Sequence, residues 1–303
     1  TLSENGTVLV NGKPFFPVIG YNVYPDEYSR VELTGVNTVI GIFTYYVNAL
    51  KTSLDMAHLC GLKVIVPLDQ KLAVNIESIR KIVNELRDHP AVLAWKVMEN
   101  PTANKIALEN LINAYLEIRT LDTIHPVFLS ESSEDQFEKW AKVTDILCTS
   151  VYPLPNLPVT EIGNVVRSAQ LAVKSIKPVW TNLQTYHLPF SPDQNYLPDI
   201  EEVRHMAYQA MFAGSQGIGY YSFHDEGYWL EASELWSGLT EFRNELGLII
   251  DLMDSAQLVE RYENQVRWAL WNKNESETYV IALNEAAEER QIDIPVSFER
   301  FNS

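Results

Sequence analysis

The sequence has a shortage of positive charge. Its 23 lysines and arginines stand against 40 aspartates and glutamates, which gives a formal net charge of −17. A surface of this sign repels the phosphates of nucleic acids, so a nucleic-acid partner is excluded. The chain also lacks any apolar run near the roughly 20 residues that span a bilayer, so no membrane span is predicted. The acidic balance places no restriction on a neutral substrate such as a sugar.

Reactive motifs are scarce as well. The two cysteines, Cys60 and Cys148, lie in apolar or strand-like stretches, where buried free thiols are expected. There is no His-x-x-x-His pair for a metal and no Gly-x-Ser-x-Gly turn for a serine nucleophile, so neither metal nor cofactor is predicted. Two Asn-x-Ser/Thr triplets, at residues 5–7 and 274–276, match glycosylation acceptors and leave an extracellular location open.

The sequence is rich in short β-type runs that alternate with amphipathic helical stretches. With 303 residues and 46% hydrophobic content, the chain can bury a large core. The predicted strands are Phe15–Tyr21, Thr38–Phe43, Lys63–Leu68, Val92–Met98, Val127–Ser130, Asp145–Val151, Val179–Gln184 and Gly217–Phe223. The predicted helices between them are Ala49–Cys60, Ile76–Arg87, Lys105–Leu121, Glu161–Ser175 and Ile200–Ala213.

Eight such alternations over about 230 residues predict an α/β protein with a (β/α)8 barrel. A doubly wound open sheet is the alternative, but no glycine-rich phosphate loop follows the first strand. The barrel is assigned to residues 1–254 with an N-terminal hairpin, Thr7–Val10 and a turn at Asn11-Gly12. Residues 255–303 are predicted to be a small antiparallel β appendage, which is open to truncation at its end, with strands Leu258–Tyr262, Val266–Trp271, Thr278–Leu283 and Gln291–Pro295.

Active sites on a (β/α)8 barrel lie where the strands end. Here those positions hold carboxylates, amides and aromatic rings and few cations. Two carboxylates are the machinery of glycoside hydrolysis, amides bind sugar hydroxyls, and aromatic faces stack on sugar rings. The predicted catalytic residue is Glu99, with Glu131 or Glu226 as its partner. The predicted substrate-binding residues are Asn22, Tyr24, Asn100, Tyr152, Trp180, Gln184, Tyr221 and His224.

Four segments, in the same order along the chain, resemble clan-A type glycoside hydrolases related to the β-galactosidase superfamily. Asn11–Gly20 is similar to the first strand of that family, and His89–Pro101 is similar to its fourth strand. Lys177–Gln184 is similar to the seventh strand, and Pro198–Phe223 leads into an aromatic eighth strand. The resemblance covers residues 11 to about 250 and implies an O-glycosyl hydrolase that acts on an oligo- or polysaccharide.

The sequence departs from that family at its reactive positions. The family's acid/base glutamate directly precedes the proline, where this chain has Asn100, and Glu99 comes one residue earlier. On a regular strand, a shift of one residue turns a side chain to the opposite face. Gln184 occupies the place that the resemblance gives to the nucleophile, and an amide cannot exchange the proton that acid/base catalysis requires.

Two functional hypotheses therefore stay open, with a third behind them. Either Glu99 reaches the site and the barrel is an active glycosidase, or the barrel has kept a sugar cleft without its chemistry and binds carbohydrate or serves as a scaffold. The third is lyase or transferase chemistry on a sugar. Oligomeric state is not predicted.

Overall fold

The structure is a computed structural model. It describes residues 1–3, 6–41, 46–68, 75–187, 196–255, 258–274, 277–286 and 288–294. Outside these ranges lie Ile42 and Phe43 of the second predicted strand, Pro295 of the last one, and Asn5, Glu275 and Ser276 of the glycosylation triplets.

The chain opens with the predicted hairpin. Strand β1 (Leu9–Val10) pairs antiparallel with β2 (Lys13–Pro14). Asn11 and Gly12 between them have φ values of 53° and 75°, the left-handed pair that a tight hairpin turn requires.

Eight parallel strands then close into a barrel, which confirms the predicted (β/α)8 fold. The strands are β3 (Val18–Val23), β4 (Thr38–Gly41), β5 (Lys63–Pro67), β6 (Val92–Glu99), β7 (Val127–Glu131), β8 (Ile146–Thr149), β9 (Val179–Gln184) and β10 (Ile218–Tyr221). Each strand pairs with the next along the chain, and β10 pairs with β3 to complete the ring. In this ring β6 and β10 are four strands apart, on opposite sides.

Among the described residues, five helices lie where the periodicity predicts them, and three are additional. They are α1 (Tyr28–Val31), α2 (Val47–Leu59), α3 (Ile76–Leu86), α4 (Leu108–Leu121), α5 (Phe137–Trp140), α6 (Glu161–Ala172), α7 (Ile200–Phe212) and α8 (Leu235–Ser255), of which α1, α5 and α8 are the additional ones. Helix α3 shows why they form: Asn75 caps it by accepting from the Ser78 amide, and one face, Ile79, Ile82, Val83 and Leu86, is buried. Within the described ranges, none of the helices combines the length and apolar character needed to cross a membrane.

The barrel interior is filled by side chains from the strands. The cluster includes Ile19, Ile40 and Ile65 together with Phe128 and Trp180, and it takes in Val8 from the N-terminal segment. The Trp180 ring is fully buried 5.5 Å from Phe128. A Cβ at Gly217 would lie 3.0 Å from the Trp180 ring, so the start of β10 has no room for a side chain there.

Beyond β10 the chain forms two further antiparallel sheets. The first is a hairpin of β11 (His224–Asp225) and β12 (Tyr228–Trp229). The second comprises β13 (Leu258–Glu263), β14 (Val266–Asn274) and β15 (Glu277–Asn284). Residues 291–294 are not in a strand, so the fourth predicted strand of the appendage is wrong over its described part. The chain divides into two compact units, Thr1–Phe242 and Arg243–Ser303, and the boundary proposed at residue 254 stays a prediction.

Candidate active site

A bulge in β6 brings Glu99 to the inner face of the barrel. The pairing of β6 with β7 shifts register between Lys96 and Met98, so Val97 is the extra residue. Lys96 therefore shares a face with Glu99, and the two side chains form an ion pair. The Lys96 Nζ also lies 5.3 Å from the centre of the buried Tyr21 ring, inside the barrel. On a regular strand the one-residue shift would turn Glu99 away, and the extra residue in the bulge restores its inward direction.

Four tyrosines surround this pair at the mouth of the barrel. The Tyr221 ring lies 5.5 Å from Tyr21, 5.4 Å from Tyr152 in a stacked arrangement, and 5.8 Å from Tyr186. Burial, followed by the negative charge of Glu99, raises the pKa of Tyr221. Burial likewise raises the pKa of Tyr21 and of Tyr152, and Glu99 adds to both shifts. All three hydroxyls stay protonated at neutral pH and can donate hydrogen bonds.

The floor of the mouth is polar and closely fitted. On β9, the Asn182 Nδ2 donates to the Ser150 Oγ over 2.8 Å, and the Asn182 Oδ1 lies 3.4 Å from the Cys148 thiol. A Cβ at Gly219 would lie 2.6 Å from the Asn182 Oδ1 and 2.9 Å from the Tyr21 ring. Only glycine leaves room for both groups at this position of β10.

Two buried oxygens next to Glu99 lack a partner among the described residues. The Ser130 Oγ belongs to the residue that pairs with Glu99 across β6 and β7. The second is the Asn100 Oδ1. Asn100 has a φ of 45°, and its backbone N–H donates to the Ser130 carbonyl over 2.8 Å. Buried polar atoms in proteins nearly always have partners, so these two oxygens are exceptions within the described residues.

The second predicted carboxylate, Glu131, is fully buried and already saturated. One oxygen accepts from the Thr102 amide and hydroxyl, at 3.1 and 2.7 Å. The other accepts from the amides of Ser132 and Ser133, each at 2.8 Å. The Thr102 hydroxyl in turn accepts from the Trp140 indole. Glu131 therefore connects the loop that carries Thr102 to the loop that carries Ser132 and Ser133. We assign it this structural role rather than a catalytic one.

Two predicted substrate-binding residues belong to the scaffold. Gln184 has no exposed surface, and its amide group both donates to and accepts from the Leu154 backbone at 3.1 Å. Trp180 is enclosed in the barrel core below the mouth. Neither side chain has exposed surface that a sugar could contact. A strand pattern in the sequence predicts which residues belong to a strand, but it does not predict how deep in the barrel each side chain lies.

The hairpin after β10 supplies a different carboxylate from the one predicted. Glu226 lies exposed in the turn with Gly227, whereas Asp225 is half-buried. The Asp225 charge raises the pKa of Tyr221, and after burial it also raises the pKa of Tyr186 to about 12, so the carboxylate faces the tyrosine cluster. Asp225 pairs with Tyr228, whose hydroxyl donates to the Thr185 carbonyl over 2.7 Å.

The remaining predicted residues form the rim beside this hairpin. The Asn22 amide donates to the His224 carbonyl over 3.0 Å, and Asn22 has a φ of 57°. The Tyr24 ring lies edge-on to His224 at 5.0 Å. The His224 Nε2 is 2.7 Å from a carboxylate oxygen of Glu27, which is buried and was not anticipated.

The structure thus gathers Glu99, Asn100, Tyr152 and Tyr221 at the mouth and Asn22, Tyr24 and His224 at its rim. Sequence reasoning missed Lys96 and Asn182, and of the two neighbouring carboxylates after the last barrel strand it chose Glu226 over Asp225. The residue pattern His-Asp-Glu-Gly-Tyr-Trp could have revealed Asp225, since a two-residue turn at Glu-Gly leaves the aspartate in the paired strand. Within the described ranges, no three His, Cys, Asp or Glu side chains are grouped in a way that could hold a metal ion.

Comparisons with known proteins identify relatives by structure alone. No family model matches the sequence, and no curated protein matches it. A β-glucuronidase from an uncultured Clostridium superposes with a TM-score of 0.57 at 15% identity, over 81% of this chain and 53% of its own. A GH2 β-galacturonidase from Eisenbergiella tayi, whose structure holds glycerol, gives 0.61 at 13% identity, over 82% and 54%.

A protein described only as a glycoside hydrolase gives a TM-score of 0.61 at 16% identity, over 89% of this chain and 82% of its own. The chain spans about half the length of the glucuronidase and galacturonidase chains that it matches. At these identities the likeness concerns the fold. The chain has a glycoside-hydrolase-like (β/α)8 barrel.

Proposed function

We propose that the barrel mouth binds an oligo- or polysaccharide and hydrolyses it with Glu99 and Asp225. The observation that carries this proposal is that both carboxylates face the Tyr221 hydroxyl region, one from β6 and the other from the hairpin after β10. Glu99 ends β6, and Asp225 lies on the hairpin that follows β10, which is four strands away from β6 in the ring. Glycoside hydrolysis requires two carboxyl groups that flank the scissile bond.

The surroundings of Glu99 suit the anionic role in the proposed pair. Glu99 is ion-paired with Lys96, so it is the anionic member that acts as nucleophile or general base. Asp225 is the second carboxyl group of the proposed pair. Because Lys96 also lies against the Tyr21 ring, it holds the Glu99 carboxylate in one position.

The other mouth residues supply sugar recognition in this proposal. The tyrosine hydroxyls donate to sugar oxygens because their raised pKa values keep them protonated. The stacked rings of Tyr152 and Tyr221 form an apolar wall.

The test compares three conservative variants on a panel of aryl glycosides. Glu99→Gln and Asp225→Asn are expected to lower kcat/KM by roughly 10²- to 10⁴-fold, since each removes a group that acts in the transition state. Glu226→Gln is the matched control, because it removes a carboxylate next to Asp225 that is exposed in the turn. Equal rates for wild type and Glu99→Gln would remove Glu99 from the mechanism.

A second candidate is carbohydrate binding without hydrolysis. It is favoured by Gln184, an amide locked onto the Leu154 backbone at the position that the resemblance gives to the nucleophile. In this case the panel shows no turnover with any glycoside, while a bound sugar raises the melting temperature. Turnover that Glu99→Gln abolishes would exclude this candidate.

A further inference from the structure

The β11–β12 hairpin has two different faces. Asp225 and Tyr228 pair across it and face the tyrosine cluster of the mouth. His224 and Trp229 form the neighbouring cross-strand pair, and their rings are parallel within 9° at 5.9 Å. Because successive residues of a strand point to opposite faces, this aromatic pair lies on the other face of the hairpin from Asp225 and Tyr228.

The aromatic pair continues onto the loop after β3. The Tyr24 ring meets the edge of His224 at 5.0 Å, so Tyr24, His224 and Trp229 form one group, here called the rim platform. Tyr24 is 45% exposed and Trp229 is 41% exposed. Large exposed aromatic rings that are grouped together mark a binding surface more often than rings that are scattered singly.

The rim platform is held in place from below. The His224 Nε2 lies 2.7 Å from Glu27, and the other oxygen of that buried carboxylate accepts from the Tyr24 amide at 2.9 Å. The Asn22 amide fixes the His224 backbone over 3.0 Å. A surface with its rings already fixed loses little side-chain entropy when a ligand binds.

The charges around the rim platform are acidic. Glu27 and Glu231 lie next to it, and the cation between them, Arg30, is already bound to Glu231 at 2.9 Å and to Glu27 at 3.8 Å. The carboxylates would repel an anionic sugar, and Arg30 already forms ion pairs with Glu27 and Glu231. A neutral sugar ring, with an apolar face and hydroxyl edges, fits both the aromatic rings and the charge.

We propose that Tyr24, His224 and Trp229 form an outer subsite that stacks one ring of a neutral saccharide chain whose neighbouring rings occupy the mouth. The proposal rests on the proposed function, because Asn22 and the hairpin join the rim platform to the mouth. It adds that a chain of several neutral sugars is favoured over a monosaccharide and over an acidic chain.

The test measures affinity by calorimetry with cellotetraose, xylotetraose, mannotetraose and β-1,4-galactotetraose, their monosaccharides, and tetragalacturonate. Among the neutral tetrasaccharides that bind, Trp229→Ala is expected to weaken affinity about tenfold, which is the loss of one stacking contact. Its monosaccharide affinity should stay within about twofold, and Trp229→Phe should recover most of the loss. Tyr262→Ala is the control, since it removes an exposed aromatic ring of the C-terminal unit.

The outcomes separate the two proposals. If wild type binds a neutral tetrasaccharide and both Trp229→Ala and Tyr24→Ala, with unchanged melting temperatures, bind it equally well, the outer subsite is overturned while the mouth stands. Binding of tetragalacturonate at least as tight as that of the neutral chains would overturn the preference for neutral sugars. If wild type binds none of the sugars, both the proposed function and the outer subsite fail.

Discussion

At the end of the barrel opposite the mouth, the Asp122 carboxylate accepts from the Trp95 indole at 2.9 Å and the His125 ring at 2.7 Å. The amides of Ile124 and His125 donate to its second oxygen. At the mouth, by contrast, the buried oxygen of Ser130 has no partner among the described residues. The chain itself therefore satisfies the carboxylate of Asp122, whereas it leaves the hydroxyl of Ser130 without a partner among the described residues. The difference predicts which of these two buried polar side chains stabilises the barrel.

The largest effect on stability is expected for Asp122→Ala. It leaves the Trp95 indole and the His125 ring without their acceptor, and breaking such a buried network costs about 3–5 kcal/mol in free energy of unfolding. Urea unfolding followed by tryptophan fluorescence measures this loss. A loss below about 1 kcal/mol would contradict the predicted stabilising role of Asp122.

A smaller loss in free energy of unfolding is expected for Glu131→Gln. This variant tests whether a carboxylate on the mouth side stabilises the barrel as Asp122 does at the opposite end. The amide nitrogen of glutamine cannot accept from Thr102 or from the amides of Ser132 and Ser133, so about 1–3 kcal/mol is lost. Thermal unfolding measures this change, while kcat per folded molecule should stay close to wild type. A loss of turnover without a loss of stability would instead return Glu131 to the catalytic pair.

Acid is expected to remove the contribution of Asp122. Burial raises the pKa of Asp122, but hydrogen bonds from His125 and Trp95 outweigh burial and hold the pKa well below its ordinary value. The folded state therefore releases this proton more readily than the unfolded state, so the stabilisation is present above about pH 4 and is lost as the pH falls below it. The difference in unfolding free energy between wild type and Asp122→Asn should shrink as the pH falls below about 4. If the difference in unfolding free energy instead grew as the pH fell, the pKa of Asp122 would be raised in the folded state and not lowered, which would contradict the prediction.

The smallest effect on stability is expected for Ser130→Ala. The Ser130 hydroxyl is fully buried and forms no hydrogen bond with the described residues, so its removal should change the unfolding free energy by no more than about 0.5 kcal/mol. Affinity for a bound sugar should stay within about twofold, because the hydroxyl has no surface that a ligand could contact. Thermal unfolding and calorimetry measure the two quantities. A loss of stability above about 1 kcal/mol would place Ser130 with the structural groups instead.

Much of the barrel could be predicted because its signals are local. Alternation of apolar runs with helical periodicity gave eight strands within a few residues of their observed bounds, Val179–Gln184 among them without change. The turn at Asn11-Gly12 could be predicted because asparagine and glycine are the residue types that most readily adopt its left-handed backbone conformation.

The sequence by itself determined the fold, the position of the mouth and the carboxylate and aromatic chemistry at the strand ends. Only the tertiary structure decided which of these groups are free to act. The bulge at Val97 turns Glu99 inward, Thr102 and two amides close off Glu131, and the Leu154 backbone occupies Gln184. Each of these depends on register or on partners far along the chain, whereas periodicity reports only neighbours in sequence.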